Sequence, residues 1–581
     1  MSEPPLGRVG VPQPGHSARQ TRGASVLTGT PSGFRDILPT EALARERISR
    51  TVTEGFASHG YLPVETPLLE NRAVIERGGR IQDSPFQLFD TDGSLLVLRP
   101  DLTLPIARLV AARVPDAQLP ARLRYAAPIV REESVLGGQP RQFTQLGVER
   151  FGGDGMEGEV EVVTLLGEAL RALEVPAWRI VCGSVSPLKA LLDSCAPSDE
   201  FRETVQRLVH ESDLVSLDEF VAASDVDPAS ARAICAIPRL AGDASVIDEL
   251  DRLLDAAGVA ADRRGTAELR SFVRGLGDLV AEDHVSFDFS VINSFDYYTG
   301  LIFRAYCESS SGALAMGGRY DAVLANFGRP GVASCGFALL LERLQEVLGE
   351  QGESGVVSGV APRGQRPLRV AVPKGSLFEG SVRLLEQAGM PVDELREPGR
   401  RLIIPAGDVE YVIVRAQDAP SFVGHGGADC GICGNDSVIE AGIDLLQLVD
   451  LGFGRCRFVV AEPRSRAGEA ERAYQWRGTV RVATKYPRIT RRYYDAIGQH
   501  ADIVQLHGNI ELGPIVGMTD RIVDITATGT TLRENDLVVV DDVMECTARF
   551  FASPAAYRTD ARVRDLAARL GRICESEGDQ Q

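Results

Sequence analysis

No run of about eighteen consecutive apolar residues occurs in the chain, so the sequence offers no membrane span. Basic charge is also scarce: 62 Lys and Arg stand against 81 Asp and Glu, a formal net charge of −19. Nucleic-acid binders usually show a basic balance, because phosphate contacts supply most of their affinity. The acidic balance argues against tRNA as a partner while leaving room for local basic patches. The start of the chain lacks a hydrophobic export core; residues 1–27 are rich in Pro, Gly, Arg and Ser. A transit peptide shares part of that composition, but a disordered tail accounts for it, and a cytoplasmic location is expected. The ten cysteines are scattered rather than arranged as a disulfide framework, which fits reduced thiols. No period of about 20–50 residues is present, which excludes a solenoid.

What is there is an ordinary globular composition, 44% apolar and 25% charged, in 581 residues. A single core rarely grows past about 250–300 residues, so two or three domains are expected. One compositional break divides the chain. Residues 349–367 are dense in Gly, Ser, Pro and charge and read as a flexible linker. Before it, residues 28–348 mix helical patterns with β-type runs such as SLLVLRP, RLRYAAPIV and SVINSFDYYTGLIFRAYC, which suit an antiparallel sheet. After it, residues 368–581 alternate: LRVAV, RLIIP, YVIVRA, DCGICG and LLQLVDL are short apolar strands separated by helical stretches. That alternation predicts α/β layers.

The strongest chemical motif is IVDITATGTTL, residues 522–532. It predicts an apolar strand ending at Asp524 and a small-residue turn from Thr526 to Thr531. Such a turn aims N–H groups and hydroxyls at one phosphate; Gly529 permits close approach, and Asp524 is placed to accept from ribose hydroxyls. A Thr-rich helix cap reads the same way in isolation. Cys430 and Cys433 form a CxxC, but no second Cys or His pair lies nearby at ligand spacing. They read as small apolar residues of a buried strand rather than as a metal or redox site.

The motif has company. RVAVPKGSL, RAQDAPSFVGHGGADCGICGND, LGFGRCRF, RVATKYPRITRRYY, HGNIELGPIVG and IVDITATGTTLREN follow one another between residue 368 and about residue 570. In this order and spacing they closely resemble the catalytic subunit of short-form ATP phosphoribosyltransferase. The resemblance implies a two-lobed α/β fold like the periplasmic binding proteins, with a central lobe inserted at about residues 457–543. It implies that N1 of the ATP adenine displaces pyrophosphate from C1 of phosphoribosyl pyrophosphate, with inversion. Mg²⁺ would arrive on the substrate, and no metal site of side chains is assigned. A transition state of oxocarbenium character needs positioning, cations and N–H donors around the leaving group rather than a protein nucleophile. The resemblance therefore marks Thr526, Thr528, Gly529, Thr530 and Thr531 for the 5-phosphate and Asp524 for the ribose. Lys374, Arg415 and Lys485 are candidates for phosphate charge, Glu511 for ribose or metal, and Gly375, Arg400 and Arg401 for ATP. Many phosphoribosyl transferases carry two adjacent acids before the loop; here Ile525 follows Asp524, so one acid must serve, with Glu511 as possible help.

The front half carries a second resemblance. SGFRDILPTE, LRPDLTLPIAR, APIVREES, RQFTQLGVERFG, FDYYTG and MGGRYD resemble histidyl-tRNA synthetase, and more closely the regulatory subunit that accompanies short-form ATP phosphoribosyltransferase. The implied fold is the class II antiparallel sheet flanked by helices. Where the synthetase has an arginine before its Leu-Asp-Tyr-Tyr run this chain has Asn293. Leu340 and Leu341 replace small residues that would admit ATP, and no anticodon-binding domain follows, although Arg131 and Arg343 survive. No aminoacylation is expected. The histidine-recognition positions match better: Glu149 for the imidazole N–H, Gln145, Asp101 and Thr103 for the α-amino group, Arg131 for the carboxylate, Tyr297 and Tyr298 as walls. Gln145 and Glu149 share one face of a strand. The resemblance thus implies a histidine sensor fused to the catalyst, a symmetric homo-oligomer, and no separate regulatory partner. Two other readings stand beside it: a genuine histidyl-tRNA synthetase with an unusual C-terminal domain, and a non-enzymatic solute-binding protein.

Overall fold

A computed structural model describes residues 29–77, 86–131, 140–290, 298–310, 312–349, 364, 366–526 and 529–578. The tail 1–27, Asn293, Tyr297, Thr528 and most of the 349–367 linker lie outside them.

The front unit is built on a nine-stranded sheet. Its spatial order is Leu62–Pro63, Ala121–Val130, Gln142–Phe151, Ser334–Leu340, Ala315–Arg319, Leu301–Cys307, Trp178–Ser184, Val285–Asp288 and Ala241–Gly242. Pairing is antiparallel except that Leu62–Pro63 runs parallel to Ala121–Val130 and Val285–Asp288 parallel to Trp178–Ser184. The helix Gly155–Ala172 starts where Asp154 accepts from the N–H groups of Met156 and Glu157. Its apolar stripe, Val162, Val163, Leu166 and Leu170, is fully buried and shares a core with Val52 and Phe56 of the helix Pro39–Ser58. Between the Trp178 and Val285 strands the chain inserts a helical block from Ser186 to Ala281. SLLVLRP does not join the large sheet: Leu95–Leu98 is the middle strand of a separate three-stranded sheet.

The rear unit has two α/β layers. A six-stranded sheet runs Ile403–Ala406, Val409–Val414, Leu368–Pro373, Cys430–Gly434, Ala548–Ala552, Leu446–Asp450. A five-stranded sheet runs Ala501–Gln505, Val480–Thr484, Arg521–Thr526, Cys456–Pro463, Leu537–Cys546. The chain crosses between them twice, from Asp450 to Cys456 and from Cys546 to Ala548. The three parallel strands at the centre of the first sheet are almost wholly buried, as their unbroken apolar runs require. The cysteines of the CxxC lie inside this layer, and burial pushes both thiols well above their usual range. Among the described residues no cluster of His, Cys, Asp and Glu is arranged to hold a metal. No helix of the described residues is long and apolar enough to cross a membrane.

The linker is not the only connection between the units. On the rear unit's short helix Pro554–Thr559, Arg558 donates to Asp288 at 2.7 Å, to the Tyr306 hydroxyl at 2.9 Å and to the Ser290 hydroxyl at 3.3 Å, all in the front unit. Ala555 of the same helix belongs to the front unit's core. A parallel bridge joins Asp213 to Gln447, whose N–H donates to the Ser212 carbonyl at 3.1 Å.

Candidate active site and effector pocket

The rear unit's candidate residues gather at the carboxyl ends of parallel strands, where ligands bind in open α/β sheets. In the first lobe Pro373 is in register with Val414, which sets Lys374 beside Arg415, and the Lys374 N–H donates to the Val414 carbonyl at 2.7 Å. Both side chains are exposed. Gly375 follows with φ +88°, a conformation that favours glycine, and a side chain there would meet open space. Arg401 reaches the same edge, because Leu402 precedes a strand antiparallel to Val409–Val414 and accepts from the Ile413 N–H at 2.8 Å. Arg400 is its exposed neighbour.

In the second lobe Thr484 is in register with Val523, so Lys485 and Asp524 stand side by side. The strand runs on past Asp524 to Thr526, two residues beyond the end expected from the pattern, because its outward residues still pair with Cys456–Pro463. The turn is therefore shorter than expected: the helix Thr530–Glu534 begins directly after Gly529. The Thr526 hydroxyl accepts from the Gly529 N–H at 2.9 Å, and Gly529 adopts φ +68°. Asp524 is desolvated, with Oδ1 closed off and without a hydrogen-bond partner among the described residues. Burial raises its pKa to about 6; the Ile525 N–H and Lys485 pull it down and Glu511 pushes it up. Glu511 therefore does lie near the single acid. Two residues were not anticipated. Gln417 of the first lobe donates to the hydroxyl of Tyr486 in the second at 3.4 Å, joining the two lobes. Both lie within motifs already noted, RAQDAP and KYPRIT, but neither type announces phosphate chemistry.

In the front unit Gln145 and Glu149 both sit buried on Gln142–Phe151. Glu149 Oε1 accepts from the Thr103 hydroxyl at 2.8 Å and the Tyr125 hydroxyl at 3.1 Å, and Oε2 accepts from Tyr320. Burial raises the Glu149 pKa to about 8, against the pull of those hydroxyls. Gln145 Oε1 is buried and has no partner among the described residues. Asp101 accepts from the Leu104 N–H at 3.1 Å and lies in the field of Arg131, whose Nε donates to the Pro100 carbonyl at 3.2 Å. The Tyr298 hydroxyl faces Arg304, Glu149, Asp101 and Arg131, and burial raises it to about 12. Room for this cluster comes from glycines: a Cβ on Gly336 would fall 2.2 Å from Glu149 Oε2, and one on Gly318 2.7 Å from the Tyr298 ring. Tyr125 and Tyr320 were not marked from the sequence, since a tyrosine in a strand reads first as packing. Leu341 is buried in the front unit's core. Arg343 pairs with Glu346 at 2.9 Å.

The front unit matches the family model for histidyl-tRNA synthetase over residues 33–344, and the rear unit that for ATP phosphoribosyltransferase over residues 415–572. The chain is 51% identical to the ATP phosphoribosyltransferase of Rubrobacter xylanophilus over 208 residues, 36% of this chain and 96% of that one. It is 34% identical to the ATP phosphoribosyltransferase regulatory subunit of the same organism over 379 residues, 64% of this chain and 86% of that one. A crystal structure of an ATP phosphoribosyltransferase regulatory subunit/histidyl-tRNA synthetase from Bacillus halodurans superposes with TM-score 0.52 at 26% identity, covering 67% of this chain and 100% of that one. A class II synthetase-like unit joined to a phosphate-handling α/β unit defines a phosphoribosyl transferase that carries its regulator with it. The chain belongs to the ATP phosphoribosyltransferase family, as a fusion of the regulatory subunit, at the front, with the catalytic subunit, at the rear.

Proposed function

We propose that the rear unit closes, in the manner of the periplasmic binding proteins, on ATP and phosphoribosyl pyrophosphate. The C1–O bond to pyrophosphate breaks, the N1–C1 bond to adenine forms with inversion, and the electron pair leaves on pyrophosphate. Thr526, Thr528, Gly529, Thr530 and Thr531 hold the 5-phosphate through hydroxyls and N–H groups. Asp524 accepts from the ribose hydroxyls and, as its carboxylate, stabilises positive charge growing on the ring. Lys374, Arg415 and Lys485 take the charge growing on pyrophosphate, and Gly375, Arg400 and Arg401 line the approach for the ATP triphosphate. Mg²⁺, carried by the substrate, would neutralise part of its charge. Asp524 and Glu511 are acids suited to reach it through water. The observation that carries this reading is a desolvated carboxylate oxygen, without a hydrogen-bond partner among the described residues, in the field of Lys485 and beside a threonine-glycine turn.

The front unit senses histidine rather than charging tRNA. Glu149 receives the imidazole N–H, Gln145, Asp101 and Thr103 the amino group, and Arg131 the carboxylate, with Tyr297 and Tyr298 as walls. The orphaned Gln145 oxygen and the loaded Glu149 carboxylate favour a polar ligand here over a packing role. A coupling of about 1–3 kcal/mol between pocket and cleft gives roughly 5–150-fold control. The fused chain needs no separate regulatory subunit and works as a homo-oligomer in the cytoplasm. Turnover of ATP and phosphoribosyl pyrophosphate with Mg²⁺, followed by ultraviolet absorbance with and without histidine, tests both halves. Turnover suppressed by histidine is expected. Turnover blind to histidine removes the sensor, and no turnover removes the assignment of the cleft.

A further inference from the structure

The two chain crossings between the lobes each carry a cysteine. Cys456 opens the strand leaving the first lobe, Cys546 ends the strand returning to it, and the two are direct partners across the antiparallel pair. Residues placed so hold their Cβ atoms about 4.5–5.5 Å apart, a small adjustment from the roughly 3.5–4.5 Å of a disulfide. Cys546 is buried, whereas Cys456 is only partly covered, so one sulfur meets solvent and the other backs it. The closeness of the two thiols lowers the Cys456 pKa and raises that of Cys546, so Cys456 is the sulfur that ionises first. The neighbouring charge on the first lobe is Asp436, which acts on both sulfurs. The CxxC offers no comparable arrangement, since both of its thiols are buried in the sheet.

We propose that Cys456 and Cys546 are a reversible oxidation site, forming a disulfide that staples the two crossing strands at the hinge and restricts the relative motion of the lobes. With a hydroperoxide as oxidant, the Cys456 thiolate attacks the peroxide oxygen. The O–O bond breaks, the leaving hydroxide takes a proton to become water, and Cys456 becomes a sulfenic acid. The sulfur of Cys546 then attacks the Cys456 sulfur, the S–O bond breaks, the S–S bond forms, and the thiol proton leaves with hydroxide as a second water. Two thiols supply two electrons to one peroxide; a dithiol reverses the change. The bond needs no assumption about the cleft. Its effect on turnover rests on the reading of the cleft as one that must open and close.

The test uses the full chain treated with a small excess of hydrogen peroxide, then alkylated and mapped by mass spectrometry. Two of the ten thiols are expected to disappear, with a linked peptide joining Cys456 to Cys546. Turnover is expected to fall about tenfold and to return with dithiothreitol. Cys456→Ser, at the more exposed position, is expected to keep its turnover under peroxide and to form no linked peptide; Cys546→Ser repeats the test from the other strand. Hydrogen exchange at residues 450–457 and 545–548 is expected to slow on oxidation, a readout that holds even if the assay for transfer fails. Absence of the linked peptide, or a linked protein with unchanged turnover and unchanged exchange, overturns the proposal.

Discussion

The guanidinium of Arg558 meets the carboxylate of Asp288 at 2.7 Å across the seam between the two units, and the side chains are only 3% and 2% exposed. A buried pair of this kind adds little over an apolar packing, but removing one partner strands the other charge. Asp288 also holds the N–H and hydroxyl of Ser290, eight residues before Tyr298 of the proposed histidine pocket. Arg558→Ala is expected to cost about 3–5 kcal/mol, measured by denaturant unfolding. Arg558→Lys, which keeps the charge but loses the fork, is expected to leave histidine affinity intact by calorimetry while weakening inhibition. Equal inhibition in that variant excludes this contact from the coupling.

The same seam bears on truncation. A fragment of residues 360–581 leaves Arg558 without Asp288, Tyr306 and Ser290, and exposes Ala555. It is expected to be poorly active, and adding the front unit as a separate chain is expected to restore part of the turnover. Full activity of the fragment alone shows that the front unit only inhibits.

Burial raises the pKa of Asp524 to about 6. Protonated, it no longer accepts from two hydroxyls or balances a cationic ring. The kcat/KM for phosphoribosyl pyrophosphate is therefore expected to fall as pH drops below about 6, approaching one decade per unit. Asp524→Asn is expected to lose roughly 10²–10³-fold and to flatten that limb. A variant that keeps the limb assigns it to another group.

Glu149 makes an opposite demand on stability. Its folded pKa of about 8 stands above the ordinary 4.5, so the folded state favours the protonated form. The sign is fixed by linkage: its stabilising contribution is complete below about 4.5 and is lost as pH rises through about 8. Glu149→Gln, neutral throughout, is expected to gain thermal stability relative to the parent between pH 5 and pH 8, by on the order of a few kcal/mol. Histidine binding, which favours the carboxylate, is expected to strengthen with pH over the same range, and Glu149→Ala to abolish inhibition while sparing basal turnover. Retained inhibition in the alanine variant places the sensor elsewhere.

A more conservative change tests the phosphate turn. Thr526→Val keeps the shape but removes the acceptor for the Gly529 N–H at 2.9 Å. Loss of a part-buried hydrogen bond of this kind costs about 0.5–1.5 kcal/mol. The KM for phosphoribosyl pyrophosphate is expected to rise accordingly, with the KM for ATP little changed.

What could be read in advance follows a physical division. The five apolar runs of the rear unit all form strands: the three central ones are parallel and buried on both faces, which leaves an unbroken apolar signature, and Ile403–Ala406 and Leu446–Asp450 pair antiparallel at the two edges. Gln145 and Glu149 share a face because strand periodicity is two. Long-range pairing leaves no such trace. Arg558 in isolation is a helix arginine like any surface one, and Cys456 and Cys546 are separated by an entire lobe. Nothing in the sequence marks Tyr125 and Tyr320 as donors, because the buried carboxylate between them, Glu149, belongs to a different strand, Gln142–Phe151. The strand bearing Asp524 was read short since Thr526 has the composition of a turn, and only its antiparallel neighbour keeps it extended.

The strand Ala548–Ala552 sits between Cys430–Gly434 and Leu446–Asp450, although the whole second lobe separates it from them in sequence. During synthesis the first lobe must wait, its sheet split, until that strand emerges. The front unit's large sheet, by contrast, has all its strands once residue 340 is out. A finished front unit is thus on hand when Pro554–Thr559, the helix that docks on it, leaves the ribosome directly behind the closing strand. Vectorial synthesis would then make the regulator a template for assembling the catalyst, and a split sheet with open edges would be covered soon after it forms.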